Sequence, residues 1–250
     1  MPELTLNNET VHYRQSSRTP PGAMTVVCLH GSGADSIVWS AQLSRLRRNY
    51  NIIAPDLPGH GRSGGATLQS VVDYAAWLND FAQTLCLKRF FLMGHSLGGA
   101  IAQEYTRMHP EQIAGLVLIG TGTRFKLSGT YLELFEKGLD PEDPVVRRQL
   151  PGQFREAFAF LKDNSSLALH ADLMAAGRFD SRDWISSILA QSLVVRGAND
   201  CVTPPDIPFE LANMLPHAEC VTIGDAGHVV MLEARDAFNA CVSTFFESCS

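Results

Sequence analysis

Three side chains in this sequence carry the chemistry of acyl transfer at positions that favour it. Ser96 stands between two glycines in Gly94-His95-Ser96-Leu97-Gly98-Gly99. Asp200 closes Val195-Arg196-Gly197-Ala198-Asn199-Asp200, and His228 closes Gly224-Asp225-Ala226-Gly227-His228. A hydroxyl becomes a useful nucleophile when an imidazole takes its proton, and the imidazole works best when a carboxylate orients it and stabilises its cation. The order serine, acid, histidine along the chain is one of the known orders for such a set. Asp206 and Asp225 are rival acids, but Asp206 falls in a predicted first helical turn and Asp225 is close enough to His228 to serve only its loop.

Each of the three lies where an apolar run stops. Phe90-Phe91-Leu92-Met93 reads as a buried strand, and Ala100 onward resumes with helical periodicity, so Ser96 is predicted on a strand-to-helix turn. There the Leu97 N–H, at the positive end of the helix, is free to face a developing oxyanion. A second donor is expected from His30-Gly31-Ser32-Gly33, a glycine-rich loop after the strand Thr25 to Leu29, and the Ser32 N–H is the candidate. Losing one such donor typically costs about 100- to 1000-fold in rate.

The remaining pattern alternates strand and helix. Leu4 to Leu6 and Thr10 to Arg14 predict an edge hairpin, Asn51 to Asp56 a buried strand, and Leu68 to Leu85 a helix. Val38 to Arg48 predicts another helix, and Ile113 to Ile119, Ser192 to Gly197 and Glu219 to Ile223 predict strands before a final helix from Met231 to about Glu247. Such alternation predicts an α/β fold with a mostly parallel sheet and ligands at the strands' carboxyl ends. From about 123 to 187 the rhythm turns helical, with segments at Tyr131 to Leu139, Val145 to Phe160 and Leu167 to Ala176. The chain therefore divides into a core of 1–122 with 188–250 and a helical insertion of 123–187.

A chain of 250 residues is long enough for one such domain, and its formal net charge of −6 argues against nucleic acid or an anionic membrane as partner. The first residues, Met1-Pro2-Glu3-Leu4-Thr5, lack a signal pattern, so a cytoplasmic location is expected. Cys28, Cys86, Cys201, Cys220, Cys241 and Cys249 have no metal or redox spacing and read as reduced, mostly buried small hydrophobes. The histidines show no paired metal-ligand spacing, so neither a metal nor any other cofactor is expected.

Together, His30-Gly31 with Trp39, Asp56-Leu57-Pro58-Gly59-His60-Gly61-Arg62-Ser63, the glycine-flanked Ser96, Gly197 to Asp200 and Gly227-His228 resemble the α/β-hydrolase superfamily. The likeness covers nearly the whole chain and is nearest to the small serine carboxylesterases, lactonases and perhydrolases. It implies an eight-stranded, mostly parallel sheet with helices on both faces and a cap inserted after strand 6. It also implies Ser96 as nucleophile, Asp200 as acid, His228 as base, and Ser32 and Leu97 as oxyanion donors.

Relatives that open haloalkanes or epoxides carry aspartate at the serine's position, and dienelactone hydrolases carry cysteine, so Ser96 points to a small ester, thioester or lactone substrate. Carbon–carbon hydrolases of aromatic degradation share the His30-Gly31-Ser32-Gly33 pattern but commonly continue with Pro-Gly, where this chain has Ala34-Asp35. A non-turnover ligand receptor on the same fold is the alternative outside enzymes. A substrate pocket is expected from Trp39, His95 and Phe125, with Leu132, Phe135, Phe158 and Leu161 in the cap, and a substrate carboxylate would call on Arg124, Lys126, Arg178 or Arg182. A monomer or homodimer is expected.

Overall fold

The computed structural model describes residues 2–17, 19–125 and 166–249. The strands are β1 (Glu3–Leu6), β2 (Glu9–Gln15), β3 (Thr25–Leu29), β4 (Asn51–Pro55), β5 (Phe90–His95), β6 (Ile113–Ile119), β7 (Ser192–Gly197) and β8 (Ala218–Ile223). They form one eight-stranded sheet in the order β1-β2-β4-β3-β5-β6-β7-β8. Every pair from β4 through β8 is parallel, and β2 runs antiparallel to both β1 and β4. The β1–β2 hairpin turns through Asn7 and Asn8 at φ 51° and 66°, left-handed values that asparagine tolerates and that a two-residue hairpin turn requires.

The helices are α1 (Ser40–Arg45), α2 (Val71–Thr84), α3 (Leu97–Met108), α4 (Ser166–Gly177), α5 (Asp206–Met214), α6 (Val230–Glu233) and α7 (Arg235–Ser248). Successive strand residues point to opposite faces, and the apolar runs sort accordingly. Val27, Leu29, Phe90, Leu92, Leu116, Leu118 and Val194 meet Tyr74, Leu78 and Phe81 of α2 and Leu97, Ile101 and Tyr105 of α3. Val26, Cys28, Phe91, Met93, Val117, Ile119 and Val195 meet Trp39, Val230, Phe238, Val242 and Phe246 on the other face. Strands buried on both faces need continuous apolar sequence, which is what β3, β5 and β6 have.

Two predicted helices are broken. The stretch Val38 to Arg48 is a 3-10 turn Ser36–Trp39, then α1, then a second 3-10 turn Leu46–Arg48. The final helix divides at Ala234, whose φ −122° and ψ 53° leave the helical region. Periodicity runs through that break because Val230, Met231, Phe238, Val242 and Phe246 all face the same core cluster.

The predicted helix Leu167 to Ala176 is α4, whereas Tyr131 to Leu139 and Val145 to Phe160 lie outside the described residues. The two ends of the 123–187 stretch meet, since the Ser181 N–H donates to the Thr123 carbonyl at 2.8 Å and the Ser181 hydroxyl donates to Gln103 at 2.9 Å. No helix among the described residues is long and apolar enough to cross a membrane. Of the cysteines, all free, Cys28 is buried, whereas Cys220, Cys241 and Cys249 are half-buried and Cys86 and Cys201 exposed. The expectation of mostly buried thiols therefore fits Cys28 alone, because the others sit on an edge strand, a terminal helix or loops that water reaches.

Phe246 tests the second cluster, because its ring is fully buried 4.3 Å from Phe91 and 5.1 Å from Tyr50, centroid to centroid. Phe246→Ala is expected to cost about 3–5 kcal/mol, read as a lower urea midpoint at unchanged slope.

Candidate active site

The turn between β5 and α3 holds Ser96 at φ 52° and ψ −116°, a backbone state that L-residues rarely adopt. It survives because the surroundings leave no alternative. A side chain at Gly94 would lie 2.2 Å from the Gly98 carbonyl oxygen, and one at Gly98 would lie 2.5 Å from the Leu29 and 2.6 Å from the His30 carbonyl oxygens. Both obstacles are backbone and cannot swing aside. The first turn of α3 is thus pressed onto the end of β3 and the start of the His30-Gly31-Ser32-Gly33 loop, where a side chain at Gly31 would lie 3.1 Å from Ser96 Cβ. Among the described residues, neither the Leu97 nor the Ser32 N–H finds an acceptor. Ser96 is only partly covered, and its hydroxyl makes no hydrogen bond to a described residue.

His228 lies on the loop between β8 and α6 and is held on several sides. Its Nδ1–H donates to Asp200 Oδ2 at 3.0 Å, which leaves Nε2 as the basic nitrogen. Its carbonyl accepts the His95 Nε2–H at 3.0 Å, and the two rings face one another at 4.7 Å. Glu233 brackets the loop by accepting the Gly227 N–H on Oε2 and the Val229 N–H on Oε1. The ring also closes on the end of β6, since a side chain at Gly120 would lie 3.1 Å from it.

Asp200 ends β7 and is buried. Its Oδ1 accepts the Val202 and Thr203 N–H groups at 2.9 Å each, and its Oδ2 accepts the Thr203 hydroxyl beside His228. Burial pushes its carboxyl up, but His228 and the Thr203 donors outweigh that and hold it at about 2. Asp225 sits in the loop turn at φ 54° and Asp206 opens α5, so Asp200 is the carboxylate bonded to His228.

The pocket candidates fall elsewhere. Trp39 is fully buried in the second core cluster, with its indole nitrogen unpartnered among the described residues. His95 is buried and spends its Nε2–H on the His228 carbonyl; burial and the facing His228 pull its pKa down to about 3, so the ring is neutral. Trp39 packs the core, and His95 braces the His228 loop. Phe125 is half-buried and stacks obliquely on Phe179 at 6.4 Å in the first cluster. Arg182 pairs with Asp180 on the surface, Arg178 is exposed, Arg124 is half-buried, and Lys126, Leu132, Phe135, Phe158 and Leu161 lie outside the described residues. Among the described residues, no three His, Cys, Asp or Glu side chains gather to hold a metal.

Residues 26–240 match the Alpha/beta hydrolase family. The chain belongs to that family. Its relatives include an uncharacterised protein of Mycobacterium tuberculosis, 34% identical over 120 residues, or 47% of this chain and 35% of that one. The chain therefore spans about a third of the length of that relative. Along nearly its full length it is 26% identical to the (E)-2-((N-methylformamido)methylene)succinate hydrolase of Acinetobacter baylyi, covering 97% of this chain and 96% of the other. The fold is that of the enol-lactonase of Burkholderia xenovorans LB400, with a TM-score of 0.84 at 22% identity, 98% of this chain and all of the other being covered.

Several residues around this site carry no motif in the sequence, namely Thr203, Glu233, Tyr74 and Asp172, while Asp56 and His60 stand in a family-like motif that assigns them no role. All six touch backbone or other polar side chains, contacts that their spacing does not record. The elbow's crowding is directly testable. Gly98→Ala forces apart the Leu29 and His30 carbonyls, and overpacking of this kind is expected to cost about 1–3 kcal/mol. The measurement is the thermal midpoint, together with the fraction of Ser96 that a serine-directed phosphonate labels, which is expected to fall.

Proposed function

We propose that this chain is a serine hydrolase that cleaves a small carboxylic ester, thioester or lactone through an acyl-enzyme. The observation that carries the reading is the His228 ring, bonded through Nδ1 to an ionised, buried Asp200 and left with a basic Nε2. In the proposed reaction Ser96 Oγ attacks the carbonyl carbon while His228 Nε2 takes its proton. The tetrahedral oxyanion is met by the Ser32 and Leu97 N–H groups, which find no acceptor among the described residues. The alkoxide or thiolate leaves with the proton from His228. Water then attacks the acyl carbon, gives its proton to His228, and the acid departs as Ser96 regains its hydrogen. The Acinetobacter relative, itself named as a hydrolase, supports the reaction class.

Steady-state hydrolysis of p-nitrophenyl esters from acetate to decanoate tests the reading. Ser96→Ala is expected to abolish turnover, and a serine-directed phosphonate to leave one adduct, on Ser96. A wild type that is labelled on Ser96 yet turns over no ester of any length would overturn the substrate class while leaving the nucleophile in place.

The pH profile has a definite sign. A general base must be unprotonated to take the Ser96 proton, so activity falls on acidification. Asp200, held at about 2, stays ionised through that range, so kcat/KM is expected to show one acid limb. A second limb attributable to a carboxylate above about pH 3 would contradict the pairing. By the same linkage, the stability that Asp200 contributes is complete above its ordinary value of 3.8 and is lost as pH falls toward 2.

A further inference from the structure

Helix α4 reads Ser-Leu-Ala-Leu-His-Ala-Asp-Leu-Met-Ala-Ala-Gly, and its one carboxylate, Asp172, is completely buried. A buried carboxylate persists only where donors surround it. Asp172 has three from distant parts of the chain. The Tyr74 hydroxyl donates to Oδ1 at 2.7 Å, while His60 Nε2 at 2.8 Å and the Gly33 N–H at 2.9 Å both reach Oδ2. The other ring nitrogen of His60, Nδ1, faces the Pro58 carbonyl at 3.0 Å. Both nitrogens thus face oxygen acceptors, and both bonds form when His60 is an imidazolium and Asp172 its counter-ion. Burial pushes the His60 pKa down, but the hydrogen bond and charge of Asp172 and the Pro58 carbonyl more than offset it, so the net direction is upward.

The Gly33 bond matters most for chemistry. The Ala34 N–H donates to the Gly31 carbonyl at 3.1 Å, which closes a four-residue turn with Ser32 and Gly33 at its centre. Gly33 has φ 64°, whereas Ser32 is not left-handed, the combination that distinguishes a type II turn from type I. The two types differ by a flip of the central peptide, which exchanges the Gly33 N–H for the Ser32 carbonyl. A flipped peptide would aim that carbonyl at the Asp172 carboxylate, which repels it.

We propose that Asp172, carried by α4, is a positioning residue for the oxyanion-binding turn: it selects the orientation of the Ser32–Gly33 peptide, and by fixing the turn from Gly31 to Ala34 it keeps the preceding peptide, which carries the Ser32 N–H, in place for the reacting carbonyl. This rests on the acyl-transfer reading given above. It also makes the docking of α4 a condition for a competent site, since the helix supplies the acceptor. Asp172 touches no reacting atom. Its anion is matched locally by His60, so it does not oppose the oxyanion that forms nearby.

The test combines kinetics with amide exchange. In Asp172→Asn, kcat for p-nitrophenyl acetate per phosphonate-titrated Ser96 is expected to fall about tenfold or more, with KM within about threefold, because oxyanion donors act in the transition state. Peptides covering residues 30–36 are expected to exchange deuterium faster. His60→Gln, which keeps the carboxylate, is expected to move both readouts in the same direction and stands in if Asp172→Asn does not fold. Tyr105→Phe, which removes a hydrogen bond to Gln112 far from the turn, lowers stability without changing kcat or that peptide's exchange. If Asp172→Asn loses stability as Tyr105→Phe does yet keeps its kcat and its exchange at 30–36, the carboxylate is purely structural and the proposal falls. If the wild type turns over no ester, the acyl-transfer reading fails, and exchange at 30–36 alone decides whether Asp172 holds the turn.

Discussion

A serine at φ 52° and ψ −116° occupies a conformation that costs of order 1–3 kcal/mol, and the rest of the site is arranged so that the chain cannot relax out of it. The strain is confined by contact rather than by a single strong bond. Strand β5 and helix α3 meet so closely that Gly94, Gly98 and Gly99 have no room for a side chain, and the facing atoms belong to Gly98 itself, to the carbonyls of Leu29 and His30, and to Thr121. One consequence lies beyond the elbow. Because α3 leans on the end of β3, a side chain at Gly31 would meet His95 and Ser96, so the loop that begins at His30 packs directly against the elbow.

Loops have few backbone partners of their own, and in this protein carboxylates supply them, three buried (Asp56, Asp172 and Asp200) and one exposed (Glu233). Asp56 accepts the Ser36 N–H at 2.8 Å, the Arg62 N–H at 3.0 Å and His12 Nδ1 at 2.7 Å. Asp172 accepts the Gly33 N–H, Asp200 those of Val202 and Thr203, and Glu233 those of Gly227 and Val229. His30 adds a neutral version, taking the Leu57 N–H on Nε2 and donating Nδ1–H to the Gly31 carbonyl. Charge-assisted bonds of this kind are stronger than neutral ones, and leaving one unmade strands a charge in the interior. The segment from His30 to Ser36 is thereby fixed at its start, middle and end, as a pre-organised donor requires.

How much of this could be read from the sequence follows from the range of each interaction. Periodicity reports burial, so β6 was legible to the residue and β5 from its start at Phe90, although β5 continues past Met93 to His95, and the turn at Ser96 was legible with its glycines. The same signal misjudged the breaks in the stretches around Ser40 and Ala234, where the buried face continues although the backbone turns. Trp39 and His95 were assigned to a pocket because a large aromatic and an elbow histidine are plausible walls; the sequence holds no sign that one fills the core and the other donates to a carbonyl 133 positions away. Asp172 was visible as a lone carboxylate in an apolar helix, which is a signal that a partner must exist. It does not say which, because Gly33, His60 and Tyr74 meet it only through the tertiary fold.

Four histidines crowd the centre, and their partners determine which one can act as a base. His30 faces His60 at 5.1 Å and His95 faces His228 at 4.7 Å, so each pair would repel if both rings were charged. Burial resolves the conflict first in one member of each pair, holding His30 at about 4 and His95 at about 3, with the neighbouring ring reinforcing the effect. The other member of each pair meets a carboxylate, but on different terms. His60 has Asp172 at one nitrogen and a carbonyl at the other, and these partners outweigh burial and raise its pKa. His228 gives Nδ1 to Asp200, and among the described residues its Nε2 has no hydrogen-bond partner. The same residue type beside the same kind of carboxylate thus has both nitrogens engaged at His60 and, among the described residues, only Nδ1 at His228, the added partner at His60 being the Pro58 carbonyl.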